Sequence, residues 1–124
     1  MDKRNVEGVL ILNPSQKWIT AVDGASELRE EISLAIEDGC LAIAVDMGQV
    51  EYADSTAIGA LIQGFKDLTR NGGRICLFNV GQEMKDFLTQ TVLDRFIEVK
   101  SDEEAVLLDF KSAPKKKKSW WRPF

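Results

Sequence analysis

The chain has 124 residues, 44% of them hydrophobic, with 16 basic and 20 acidic side chains and no histidine. That size fits one domain with a core of modest size, and the lack of histidine excludes Ser-His-Asp and Cys-His chemistry and removes the commonest zinc ligand. Charge is segregated: every acidic residue precedes Pro114, whereas Lys115, Lys116, Lys117, Lys118 and Arg122 follow it, leaving 11 basic against 20 acidic residues in the body, a net −9, and +5 beyond it.

An acidic body repels phosphate backbones, so nucleic acid is not an expected ligand, and a basic protein partner suits it better. No apolar run approaches the roughly 18 to 20 residues that span a bilayer. Met1-Asp2-Lys3-Arg4-Asn5 leads straight into a strand-like stretch without a signal-peptide pattern, so a cytoplasmic location is expected.

In chain order, residues 6–12 are expected to form a first strand ended by Asn13-Pro14, and residues 17–21 a short second strand paired with it. Residues 25–37 carry Leu28, Ile32, Leu34, Ala35 and Ile36 among acids at helical spacing, with Asp23 or Ser26 as N-cap and Gly39 as the stop. Residues 41–47 follow as an inner strand. Ile58, Leu61, Ile62, Phe65 and Leu68 then recur at three and four, predicting a helix over 56–70 that Asn71-Gly72-Gly73 terminates, and residues 74–80 return as a strand. A strand-helix-strand unit of this length implies a parallel crossover.

A third helix is expected over 82–89 with Met84, Phe87 and Leu88 inward, then a brief strand over 96–99. Ser101-Asp102-Glu103-Glu104 reads as a capping box, Ser101 accepting from the first turn and Glu104 reaching back, before a last helix to about Phe110. Cys40 and Cys76 fall at or within apolar segments and are read as reduced core thiols. The alternation gives an α/β (α+β) class with helices mainly on one sheet face, in a domain over residues 1–111. Residues 112–124 have no periodicity, two prolines and a lysine block, and are expected to be a disordered basic and aromatic extension.

Within this frame Tyr52-Ala53-Asp54-Ser55-Thr56-Ala57-Ile58-Gly59 places Ser55 at a strand-to-helix turn. Serine there is ordinarily an N-cap, worth about 1 kcal/mol. A helix mouth also accepts a phosphate, because unpaired N–H groups and the positive dipole end point at it.

The segment from Asp54 to Gly59, followed after a helix by Gly72-Gly73, resembles the signature of STAS domains, especially the bacterial anti-sigma factor antagonists, where Asp-Ser-Ser/Thr-Gly-Leu-Gly occupies the turn. The resemblance covers about residues 5–110. It implies a STAS fold with a mixed four- to five-stranded sheet, no catalytic activity and no cofactor. It implies partner switching: the unphosphorylated protein binds a serine-kinase anti-sigma factor, the kinase phosphorylates the first serine, and a PP2C-type phosphatase resets it. By position Ser55 is then the phosphoacceptor, and Asp54, Ser55, Thr56, Ala57 and Gly59 form the partner-binding turn. Thr56 is a secondary acceptor.

Ala57 stands where the motif has its first glycine, and the family's earlier Gly-x-Leu-Asp turn falls near Gln16-Lys17-Trp18-Ile19, which lacks both glycine and aspartate. The extension beyond residue 112 is a third departure. The alternative is a STAS accessory subunit of an ABC-type lipid transporter or scaffold, with Ser55 only a helix cap and the extension touching the inner leaflet. Four lysines before Trp120-Trp121 suit a peripheral contact with anionic lipid, and a solvated terminus is the plainer reading. Glu27, Glu30, Glu31, Glu37 and Asp38 read as a solvated helix face. Gly72-Gly73 ends a helix instead of opening one and is no phosphate loop. Trp18 is open between core and contact residue.

Overall fold

The computed structural model describes residues 1–91, 93–95 and 97–112; Phe96, expected in the last strand, and the extension over 113–124 lie outside the described residues. The chain begins as a hairpin. β1 (Asp2–Val6) and β2 (Val9–Asn13) pair antiparallel around Glu7 and Gly8, both at positive φ (52° and 86°). Positive φ at both central residues gives the turn twist that matches paired strands. The strand expected over 6–12 runs straight through this turn, because β1 is polar and exposed along almost its whole length and carries no alternation to betray it.

β3 (Trp18–Ile19) does not pair with β2 as expected. It runs parallel to β5 (Tyr52–Ala53) in a separate two-stranded ribbon, with Trp18 opposite Tyr52 and Ile19 opposite Ala53. α1 (Ala25–Glu37) buries Ala25, Leu28, Ile32 and Ala35, while Leu34 lies off the stripe and is exposed. Its N-cap is Gly24 at φ 96°, not Asp23 or Ser26. Asp23 is held in a tight turn instead, exchanging backbone hydrogen bonds with Thr20 at 2.8 and 3.1 Å.

β4 (Ala42–Asp46), β6 (Arg74–Phe78) and β7 (Glu98–Lys100) complete the main sheet, in the order β1-β2-β4-β6-β7, with β1 antiparallel and the rest parallel. Alternation divides the core by face. Ile43, Val45, Ile75 and Leu77 meet Leu28 and Ile32 of α1 and Leu61 and Leu68 of α2 (Ser55–Arg70), and Met84 and Leu88 of α3 (Gln82–Gln90) join the same cluster. Ala44, Cys76 and Phe78 point the other way, against Val106 of α4 (Glu103–Ser112). Three helices thus cover one face and one covers the other, a mixed α/β architecture with a five-stranded sheet.

Close approaches fix the joints. A Cβ on Gly73 would lie 2.6 Å from the Leu41 carbonyl oxygen, and one on Gly64 would lie 2.9 Å from Ile32, where α1 and α2 pack side by side. α4 starts differently from the expected capping box: Asp102, not Ser101, accepts from the Ala105 N–H at 2.8 Å. It is fastened by Arg74, which bonds Glu98 at 2.8 and 2.9 Å and Asp109, and lies 4.4 Å from the Phe110 ring centroid. Burial opposes the Asp109 charge, but Arg74 and Lys100 outweigh it and hold the carboxyl below its usual range.

Cys76 is buried and free, its thiol pushed up to about 12 by desolvation and therefore inert, and Cys40 is free and half-buried. Among the described residues no helix is long and apolar enough to cross a membrane.

Candidate functional site at the mouth of α2

The parallel crossover from β4 through β5 brings the chain to the C-terminal pole of the sheet, where α2 begins. Asp54 is its N-cap. The carboxylate accepts from the Ala57 N–H at 2.9 Å and, through its other oxygen, from the Ala21 N–H at 3.0 Å, so one side chain ties the helix mouth to the loop before α1. These bonds, that of Ala57 first, hold the Asp54 carboxyl below its usual range against an opposing desolvation effect.

Ser55 is consequently not the cap. It is the first helical residue, exposed, and among the described residues its hydroxyl makes no hydrogen bond. Thr56 is also exposed. Ala57, placed by sequence on the partner-binding turn, is fully buried in the main core cluster. Of the five residues expected on that turn, Ala57 is the one enclosed by the core.

Gly59 is exposed on the helix, and a Cβ built there meets nothing within 4 Å. Glycine within a helix is about 1 kcal/mol less favourable than alanine. Packing inside this domain supplies no reason for the missing side chain.

Beside the mouth stands the β3–β5 ribbon. Its period of two buries Ile19 and Ala53 and turns Trp18 and Tyr52 outward, 62% and 50% exposed, in edge-to-face contact with centroids 6.2 Å apart. Val22, one residue beyond the Ala21 that bonds Asp54, is 96% exposed. Trp18 is therefore on the surface, settling the question its sequence position leaves open. Tyr52 and Val22 escape sequence reasoning; the available signal was that Trp18-Ile19 and Tyr52-Ala53 are two matching large-then-core pairs.

A shallow groove of about 260 Å³ lies between the first turns of α1 and α2, lined by Ser26, Arg29, Thr56, Gly59 and Gln63 among others. Arg29 is exposed and makes no ion pair among the described residues. The only carboxylate in the turn is Asp54, whose lone pairs are occupied by amides and whose lowered pKa makes it a weak base.

Solved structures share this arrangement of elements. A Thermotoga maritima protein assigned as an anti-sigma factor antagonist superposes with a TM-score of 0.82 at 21% identity, over 89% of this chain and 93% of that one. The Bacillus cell fate determinant SpoIIAA, in its phosphorylated form, gives 0.66 at 18% identity over 86% and 96%. The murine Slc26a9 anion transporter gives 0.72 at 16% over 88% of this chain and 18% of the transporter. At such identities these are likenesses of fold, and no curated protein matches the sequence. The family model of the STAS domain, however, matches residues 1–106, and with the α2 mouth and the five-stranded mixed sheet in place the chain belongs to the STAS domain family.

Proposed function

We propose that this STAS domain is an anti-sigma factor antagonist, a binding module without catalysis that docks a serine-kinase anti-sigma factor through the mouth of α2. The kinase phosphorylates Ser55 and so releases itself, and a PP2C-type phosphatase restores the docking form. The observation that carries the reading is the division of labour between neighbours: Asp54 caps the helix, leaving the exposed Ser55 hydroxyl without a structural duty. The alternative use of Ser55 as merely a cap loses its premise at the same point.

The surroundings support docking. Trp18, Tyr52 and Val22 offer the exposed apolar and aromatic area on which interface energy concentrates. The bare Gly59 leaves room for a close approach to the helix, and Thr56 and Gly59 line the groove toward Arg29. The Bacillus relative has been solved in a phosphorylated form, so this fold accommodates that modification in at least one member.

Phosphate on Ser55 would add a charge of about −1.5 to −2 beside Asp54, in the middle of the docking face. The helix N-terminus tolerates that anion, so release follows from charge and desolvation at the interface and not from refolding. Binding of a cognate anti-sigma factor kinase tests this. Ser55→Asp is expected to weaken binding with its circular dichroism spectrum unchanged, and Trp18→Ala to weaken it without adding charge. Wild-type affinity in both variants would remove the α2 mouth from the interface.

A further inference from the structure

A second depression, of about 470 Å³, opens beside the β3–β5 ribbon and is lined by Gln16, Lys17, Trp18, Asp23 and Glu51. The backbone assembles it from separate stretches of chain. Glu51 and Tyr52 both donate to the Lys17 carbonyl oxygen, at 2.7 and 3.1 Å, which sets Glu51 against Lys17, and the Thr20–Asp23 turn brings Asp23 back toward Gln16. Gln16 is the least satisfied side chain there. Its Nε2 reaches the Asp23 Oδ1 only at 3.4 Å, and its Oε1 is enclosed without a partner among the described residues. Asp23 and Glu51 are both exposed. Lys17, the one cation of the lining, stands 3.9 Å from Glu51 with both side chains mostly open to solvent, an ion pair worth little.

We propose that this depression receives an arginine side chain of the protein that docks at the α2 mouth. The inference rests on the docking role given to this pole above and names the group that the surface takes. Two carboxylates and an orphaned amide oxygen make the lining rich in acceptors, so the occupant is a donor carrying positive charge. Trp18 adds an exposed aromatic surface, over which a guanidinium stacks better than the more strongly hydrated ammonium of lysine. A guanidinium also offers five N–H donors in one plane. That is enough for Asp23 and Glu51 and, once the Gln16 amide rotates out of its 3.4 Å bond, for Oε1 as well. Lys17 is then the competitor, its loose hold on Glu51 giving way to the incoming charge. The depression is shallow and open, which suits a side chain carried in by a larger surface and not an enclosed small molecule. The excess of 20 acidic over 11 basic residues before Pro114 attracts a basic patch to this body.

The test titrates the full chain with an acetylated Gly-Ser-Arg-Ser-Gly peptide and with the same peptide carrying citrulline, which keeps the shape of arginine and loses its charge. The arginine peptide should shift the NMR signals of the Trp18 indole N–H and the Gln16 side-chain amide saturably, and the citrulline peptide should not. Trp18→Ala should weaken binding, read at Gln16, about two- to fivefold. Asp23→Asn with Glu51→Gln should weaken it about tenfold, and Lys17→Gln, which removes the competitor, should strengthen it. Circular dichroism of each variant checks that the fold is kept. Affinity for a cognate anti-sigma factor kinase should fall by a similar factor in the Asp23→Asn, Glu51→Gln protein. The proposal is overturned if the arginine peptide leaves both signals unmoved, if the citrulline peptide shifts them equally, or if the double variant keeps wild-type affinity for peptide or kinase. The peptide arm needs no kinase. Arginine binding by a protein whose Ser55 takes no phosphate would sink the proposed partner and not the pocket, whereas a phosphorylated Ser55 without arginine binding would sink the pocket alone.

Discussion

Asp54 is the residue on which the site turns. One carboxylate caps α2 and also reaches the Ala21 amide, so its loss uncouples the helix mouth from the loop before α1 as well as from its own first turn. Asp54→Ala is expected to destabilise the fold, measured by denaturant unfolding, whereas Ser55→Ala should change stability little. The pH dependence has a definite sign. Because the folded-state pKa of Asp54 lies below the ordinary aspartate value of about 3.9, its stabilising effect is fully present above that value. It is lost as pH falls through the lowered one. An NMR titration should find its carboxyl among the last to protonate, and a midpoint in the ordinary range would contradict the bonding described. Gly59 makes a sharper claim. Gly59→Ala should raise stability, by up to about 1 kcal/mol, since the new methyl meets open space, and should weaken binding of the partner kinase. A gain in stability without any change in binding would show that the bare helix surface has no role in docking.

Among the elements, those with one strong stripe or one continuous apolar run were legible. α1 and α2 followed from residues recurring at three and four, and β4 and β6 from short β-branched runs. What escaped is instructive in physical terms. β1 is exposed and polar, so its only support is the ladder to β2, which leaves no mark in composition. β3 and β5 are two residues each and lie more than thirty residues apart, so nothing local specifies their parallel pairing. Caps are harder to read: at Asp54-Ser55 and at Ser101-Asp102 two good cap formers stand side by side and the aspartate holds the position, whereas α1 is capped by Gly24 in place of Asp23 or Ser26. Asp54 also accepts from Ala21, a residue remote in sequence. The sequence thus marks the turn that carries Ser55, and the structure gives the cap there to Asp54. The structure also separates glycines that look alike in sequence. Gly73→Ala should destabilise the fold by about 1–3 kcal/mol, because its Cβ would collide with the Leu41 backbone, in contrast to the gain expected at Gly59. Arg74→Ala should loosen α4, costing about 1–2 kcal/mol, and hydrogen exchange should rise in α4 and β7 before α1 and α2. Uniform exchange throughout would mean that the Glu98, Asp109 and Phe110 contacts do not hold that helix.

At the scale of the whole molecule the features proposed for docking gather at one pole of the domain. The C-terminal pole of the sheet gathers the α2 mouth, the Trp18–Tyr52 pair and the groove beside Arg29, and the opposite pole receives the end of α4, where Lys111 pairs with Glu7. Because α4 is fastened by its own contacts before residue 113, removal of residues 114–124 should leave thermal unfolding unchanged. The switch proposed at Ser55 is local and electrostatic. Its most direct test is site mapping of the phosphate. Incubated with a cognate anti-sigma factor serine kinase and Mg-ATP, the protein should acquire one phosphate, located by mass spectrometry on Ser55 and absent from Ser55→Ala. Stoichiometric phosphate on another residue, with Ser55 unmodified, would contradict the account.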